Sequence, residues 1–222
     1  MKVVVFAATK GGTGKTTLCY NVALEAAKKH QVLVGDLDPQ KSLKTMWEKR
    51  GELLNPRLVS NITSLGESVR LLAQAGYDRE FIFVDTPGSM MPIIKDAIGA
   101  ADLVVLPTGP SPLDWAAQEA VADLVESMGL KDRTMFVVNK AEGKSDMVAR
   151  TKQFFEMRTT LPMPIIKQRA EYARAAESGK GGIETNKDAA AEIRQLWAAI
   201  QTALKNQQAS TAKEASNVQQ LH

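Results

Sequence analysis

The sequence predicts a doubly wound α/β domain: a mostly parallel sheet with helices on both faces. Three observations predict it. Short, nearly unbroken apolar runs recur along the 222 residues, as strands covered on both sides require. Stretches of helical periodicity separate them, which is the βαβ alternation of a parallel sheet. The first run leads into a glycine- and lysine-rich turn at residues 10–17, KGGTGKTT, and then into a helical pattern. That is the strand–loop–helix setting in which a glycine-rich loop holds phosphate.

The elements follow in order. The first strand is expected at 3–7, and the helix after the loop at 15–29. The second strand, 32–34, closes on Asp36 and Asp38, and Pro39 locks the turn into a helix at 41–50. A helix at 64–75 precedes the third strand, 81–84, which ends at Asp85 and the turn Thr86-Pro87-Gly88. After a helix at 91–100 comes the fourth strand, 103–106. Pro107, Pro110 and Pro112 stiffen the loop into a helix at 114–128. The fifth strand, 135–138, ends at Asn139, and a helix is expected at 145–157. The last strand, 164–166, leads to Gln168-Arg169 and helices at 170–177 and 186–205. Residues 206–222 are rich in Gln, Ser, Ala and Asn and are expected to fray, so the folded domain is placed at 1–205. Doubly wound sheets bind ligands beyond the carboxyl ends of their strands. Thr9, Asp36, Asp38, Asp85, Thr108 and Asn139 all fall there.

Composition narrows the function classes. Hydrophobic residues make up 44% and charged residues 24%, the balance of a globular domain. No apolar run approaches the ~20 residues that span a bilayer. The N-terminal run feeds the loop and does not resemble a secretory leader. A single cysteine, Cys19, excludes an internal disulfide and suits a reducing cytoplasm. Two histidines, His30 and His222, make no metal cluster. Residues 1–130 carry 13 Lys+Arg and 15 Asp+Glu, whereas residues 131–222 carry 15 and 10. The basic C-terminal part suits a polyanion partner.

The loop departs from the ordinary phosphate-loop pattern G-x-x-x-x-G-K-[ST], whose first glycine would fall on Thr9. It carries a second lysine, Lys10, at its start. The expected phosphate cradle is Gly11, Gly12, Thr13, Gly14, Lys15, Thr16 and Thr17, with backbone N–H groups turned inward and a helix N-terminus behind them. Lys15 is expected on the β- and γ-phosphates of a nucleotide, and Thr16 on Mg²⁺. Lys10 is badly placed for its own loop and better placed for a nucleotide held by a second subunit. Asp85, an acid closing an apolar strand, is expected to act through Mg²⁺, and the Gly88 N–H to sense the γ-phosphate. Asp36 and Asp38, two apart on an extended backbone, share one side, and either acid could orient the attacking water or support the metal. Asn139 could bond a purine edge, and Arg169 could stack on a base. A guanine-reading alternative exists: Asn139-Lys140-Ala141-Glu142 nearly fits N-K-x-D, and Asp85 to Gly88 fits D-x-x-G.

With these segments in place, the chain resembles the ParA-type partition ATPases of the MinD/ParA group, the phosphate-loop ATPases with a deviant loop. The resemblance spans about residues 1–200 and rests on KGGTGKTT (10–17), DLDPQ (36–40), FVDTPG (83–88), DLVVLPTGPSPLDW (102–115) and QRAEYARAAESG (168–179). The start directly at the loop is similar to small plasmid ParA proteins without an N-terminal helix-turn-helix. The resemblance implies an ATP-bound sandwich homodimer in which Lys10 crosses to the opposite phosphates. It implies that Lys15 and Thr16 hold phosphate and Mg²⁺, that Asp38 positions water and that Asp85 acts through the metal.

It further implies slow ATP hydrolysis, stimulated by a ParB-like centromere-binding partner, and binding to DNA without sequence preference. The protein would then be cytoplasmic and nucleoid-associated, and would position a plasmid. Basic side chains give such DNA binding by releasing counterions. The candidates are Lys140, Lys144, Arg150, Lys152, Arg158, Lys167, Arg174, Lys180 and Lys187. The same fold also serves other cargo, such as a protein compartment or a conjugative transfer complex. Membrane attachment is not expected, because the C-terminal stretch carries no basic amphipathic helix.

Overall fold

The computed structural model describes every residue except Glu52, Asp78, Lys144, Ser145 and the last three, and for residues 210–219 it describes the backbone alone. Lys144 and His222 therefore lie outside the described residues. Among the described residues, seven strands form one sheet: β1 (Lys2–Phe6), β2 (Val32–Asp36), β3 (Arg57–Val59), β4 (Phe81–Asp85), β5 (Leu103–Thr108), β6 (Thr134–Ala141) and β7 (Ile165–Lys167). Their order is β3-β2-β4-β1-β5-β6-β7, and every pair is parallel.

Helices cover both faces. They are α1 (Lys15–Ala26), α2 (Ser42–Arg50), α3 (Leu65–Gln74), α4 (Met91–Gly99), α5 (Pro112–Ser127), α6 (Asp146–Phe155), α7 (Ala170–Glu177), α8 (Gly182–Thr185) and α9 (Lys187–Gln219). Side chains alternate across each strand. Val4, Phe6, Val34, Phe83, Val105 and Val137 pack under α1, α2, α8 and α9. Val3, Val5, Val84, Val104, Leu106 and Phe136 pack under α3, α4, α5 and α6. Both sets are buried, so the strands read as unbroken apolar runs.

Three differences from the sequence expectation have physical causes. β3 was not expected, because it is a three-residue edge strand with no run to betray it. α8 is a single short turn, below the length at which periodicity speaks. α9 runs 33 residues, well past 205. Its apolar stripe (Ile193, Leu196, Trp197, Ile200, Leu204) ends there, but residues 187–219 contain neither glycine nor proline and are rich in good helix formers. Trp197 docks this helix edge-on against Phe81, Phe83 and His30.

The turn after α7 locks α1 and α2 together. The Tyr20 hydroxyl of α1 donates to the Gly179 carbonyl at 2.5 Å, and Tyr20 meets Trp47 of α2 edge-on at 5.7 Å. Gly179 has φ +69°, and a Cβ there would strike the α2 backbone at Arg50 and Met46. Gly179→Ala should therefore destabilise the fold by about 2–4 kcal/mol, from left-handed strain plus overpacking. Urea unfolding measures it, and a loss below about 1 kcal/mol would mean that α2 can retreat.

Candidate functional site

The loop between β1 and α1 is shaped from below. Gly12 and Gly14 have φ of +76° and +96°, which only glycine adopts freely. Asn139, buried at the end of β6, donates from Nδ2 to the Thr13 carbonyl at 2.7 Å. A Cβ on Gly14 would collide with that amide. Lys15 is buried beneath the loop and donates to the Lys10 carbonyl at 3.4 Å. Gly88 lies against the start of the loop, where a Cβ would come within 3.4 Å of the Gly11 nitrogen. Gly11 and Gly12 have open space before them.

The acids sit beside this cradle. Thr16 donates its hydroxyl to Asp85 Oδ2 at 2.6 Å. Asp85 is fully buried, and Oδ1 has no hydrogen-bond partner among the described residues. Burial pushes its carboxyl up to about 7; the Thr16 hydrogen bond opposes this, and nearby Asp36 adds to it. Burial likewise lowers the Lys15 pKa, against the pull of Asp85 and Asp38. Asp36 is buried directly opposite Asp85 in the strand register. Asp38 is half-buried, and its carboxylate accepts the Gln40 N–H at 2.9 Å. An orphaned carboxylate oxygen next to a threonine hydroxyl fits Mg²⁺, which takes one or two protein oxygens and completes its shell with phosphates and water.

Helix α5 grips the loop from the other side. Thr9, which stands where the ordinary pattern has its first glycine, donates its hydroxyl to the Ala117 carbonyl. Gln118 donates to the Ala7 carbonyl at 3.3 Å. Lys10 pairs with Asp114 at 2.8 Å, and the Ser111 hydroxyl steadies the same carboxylate at 2.6 Å. The Lys10 side chain is 43% exposed, so this pair is worth roughly 0–1 kcal/mol and leaves the lysine easy to release. A cavity of about 790 Å³ opens here, between Lys10 to Thr13 on one wall and Asp114, Lys140, Glu142 and Gln168 on the other.

The structure gathers Lys10, Gly11, Gly12, Thr13, Gly14, Lys15, Thr16, Thr17, Asp38, Asp85 and Gly88 around one rim. The Asn139 amide donates to the loop itself and braces the cradle. Arg169 pairs with Glu192 of α9 at 2.7 Å. The roles of Asp114 and Gln118 were missed. Asp114 closes a capping pattern with Ser111, and that local signal was available. The Arg169–Glu192 pair spans 23 residues, beyond any local pattern.

Comparison with known proteins fits this geometry. The family model described as "CobQ/CobB/MinD/ParA nucleotide binding domain" matches residues 4–183. The chain belongs to this nucleotide-binding family. It is similar to the maintenance of carboxysome distribution protein A of Halothiobacillus neapolitanus, with 31% identity over 202 residues, 84% of this chain and 90% of the relative. Protein ParA of Rhizobium radiobacter is 37% identical over 117 residues, 51% of each chain. A plasmid partition protein of Borrelia burgdorferi B31 bound to AMPPNP shares the fold, with TM-score 0.69 and 18% identity over 93% of this chain and 99% of that one. The MinC:MinD cell division complex of Aquifex aeolicus gives TM-score 0.70 and 20% identity, over 88% of this chain and 96% of that one. The ParA resemblance seen in the sequence thus holds at the level of family and fold.

The raised Asp85 pKa has a testable sign. A group whose pKa rises on folding destabilises the fold as pH climbs from its unfolded value, about 4, through its folded one. Asp85→Asn should therefore melt above wild type at pH 8 without ligand, by about 1–4 kcal/mol, and the gap should shrink as pH falls towards 4. A gap independent of pH would remove the uncompensated charge from the account.

Proposed function

We propose that the chain is an ATP-dependent positioning ATPase that acts as a nucleotide-bridged homodimer on DNA. The observation that carries this is the division of labour between the two loop lysines. Lys15 lies under its own loop, while Lys10 reaches across the rim to α5 on a partly exposed, weakly held side chain. A cation held outside its own cradle suits the phosphates of a second protomer facing it.

In this scheme the loop N–H groups and Lys15 bind the ATP phosphates. Thr16 and Asp85 would hold Mg²⁺, which when bound neutralises charge on the β- and γ-phosphates. Asp38 orients the attacking water, and the Gly88 N–H meets the γ-phosphate. Lys10 leaves Asp114 and crosses to the partner's phosphates. Dimerisation then doubles the basic surface offered to DNA. Lys167, Arg174, Lys180 and Lys187 are exposed on and around α7 and the start of α9, and they are the favoured contacts. Arg158 is engaged by Asp123 and Glu126, and Arg169 by Glu192, so both have less to offer a phosphate.

Turnover would be slow alone and stimulated by a centromere-binding partner of ParB type. The protein would sit on the nucleoid and move a plasmid. A second reading, a protein compartment as cargo, is favoured by the carboxysome-distribution relative matched over 90% of its length.

Two variants test the lysines. Lys15→Ala should abolish ATP binding by calorimetry; retained affinity would end the assignment. Lys10→Ala should bind ATP as a monomer with little loss yet fail to dimerise in sedimentation, and an unchanged ATP-dependent dimer would refute the trans role. DNA retention should require ATP and, for ~6–10 phosphate contacts, weaken about 10³–10⁵-fold between 50 and 200 mM salt. Retention indifferent to nucleotide would break the link between the two activities.

A further inference from the structure

Asp36 is fully buried at the end of β2, and the scheme above gives it no task. Its two carboxylate oxygens are divided between the two ends of one short segment. Oδ1 accepts the Asp38 N–H at 3.0 Å, and Oδ2 accepts the Lys44 N–H at 3.0 Å. Between those anchors runs the turn that carries Asp38. The Lys41 N–H bonds the Asp38 carbonyl at 2.9 Å, and the Lys41 ammonium returns to the Asp36 carbonyl at 3.2 Å.

The second anchor is unusual. Helix α2 begins after Lys41, which is left-handed at φ +53° and makes no side-chain capping bond. Lys44 lies in the first turn of α2, where an N–H lacks an intrahelical partner. Asp36 caps that turn from the neighbouring strand. The segment is also tied to the other acid, because the Leu37 N–H donates to the Asp85 carbonyl at 2.9 Å. The approach of Asp38 to the cradle is thus fixed by one buried carboxylate that grips the segment fore and aft.

We propose that Asp36 is a positioning residue for hydrolysis: it acts through Asp38, holding that side chain at the angle from which it orients water. This rests on the ATPase assignment above. The alternative is a purely structural role as the cap of α2.

Asp36→Asn separates the two. The amide keeps the size of the side chain, but its oxygen can accept only one of the two bonds, and its NH₂ meets the other N–H without accepting it. With Mg·ATP, single-turnover hydrolysis should fall at least ~10-fold, with ATP affinity within about two-fold of wild type and the ATP-dependent dimer retained. In an Asp38→Asn background the same substitution should change the residual rate less than about two-fold, because the residue it works through is already disabled. A purely structural cap would instead cost the same factor in both backgrounds, which would overturn the proposal. So would an Asp36→Asn rate near that of wild type. If Asp36→Asn fails to fold, Asp36→Ser, which buries less polar surface, carries the same comparison. A wild-type chain that turns over no ATP under any condition would sink the parent assignment instead, so the two failures are distinguishable.

Discussion

Charge buried at the ends of two adjacent strands governs this molecule. Asp36 and Asp85 face each other in register on β2 and β4, with Lys15 the nearest buried cation. Two carboxylates and one ammonium leave a deficit of positive charge in a place with little water. Such a cluster persists only if its polar atoms are bonded or its protons move. Asp36 meets the condition with two backbone N–H groups. Asp85 meets it with the Thr16 hydroxyl and a raised pKa, and still keeps one oxygen without a partner. The fold has thus stored an unsatisfied demand for a cation next to a loop built for an anion. A divalent metal with a triphosphate answers both at once.

The topology explains why a second element can sense that event. α1 leaves β1 to pack on one face of the sheet, and α5 leaves the adjacent β5 to pack on the other. The crevice between them is where open α/β sheets receive ligands. α5 does not merely border it. Through Thr9, Gln118 and the Lys10–Asp114 pair it is fastened to the strand end and the start of the loop. Its N-terminal turn also presents Leu113, 78% exposed. Anything that docks on this rim therefore presses on the backbone of the glycine-rich loop.

Most of the frame was legible in the sequence. Strands buried on both faces announce themselves as unbroken apolar runs, and six of the seven did. β3 did not, since three half-exposed edge residues carry no periodic signal. The glycine- and lysine-rich loop was legible because its pattern is local: glycines, lysine and threonines within eight consecutive positions. Asp85 was legible as an acid closing an apolar strand. What escaped were residues whose role is set by distant neighbours. The Asn139 amide meets the Thr13 carbonyl, 126 positions away. Arg169 is paired by Glu192, which α9 brings to it. The end of α9 escaped for a different reason. Its apolar stripe stops at 204, and amphipathicity is blind to a helix that continues without one.

The most direct test of the stored-charge account is the proton balance of ligand binding. Burial raises the Asp85 carboxyl far enough that part of it is protonated near neutral pH, and Mg·ATP binding should turn it to carboxylate. Titration calorimetry in buffers of different ionisation enthalpy should then reveal a release of protons from wild type that is missing from Asp85→Asn. Identical proton release from the two proteins would contradict the account.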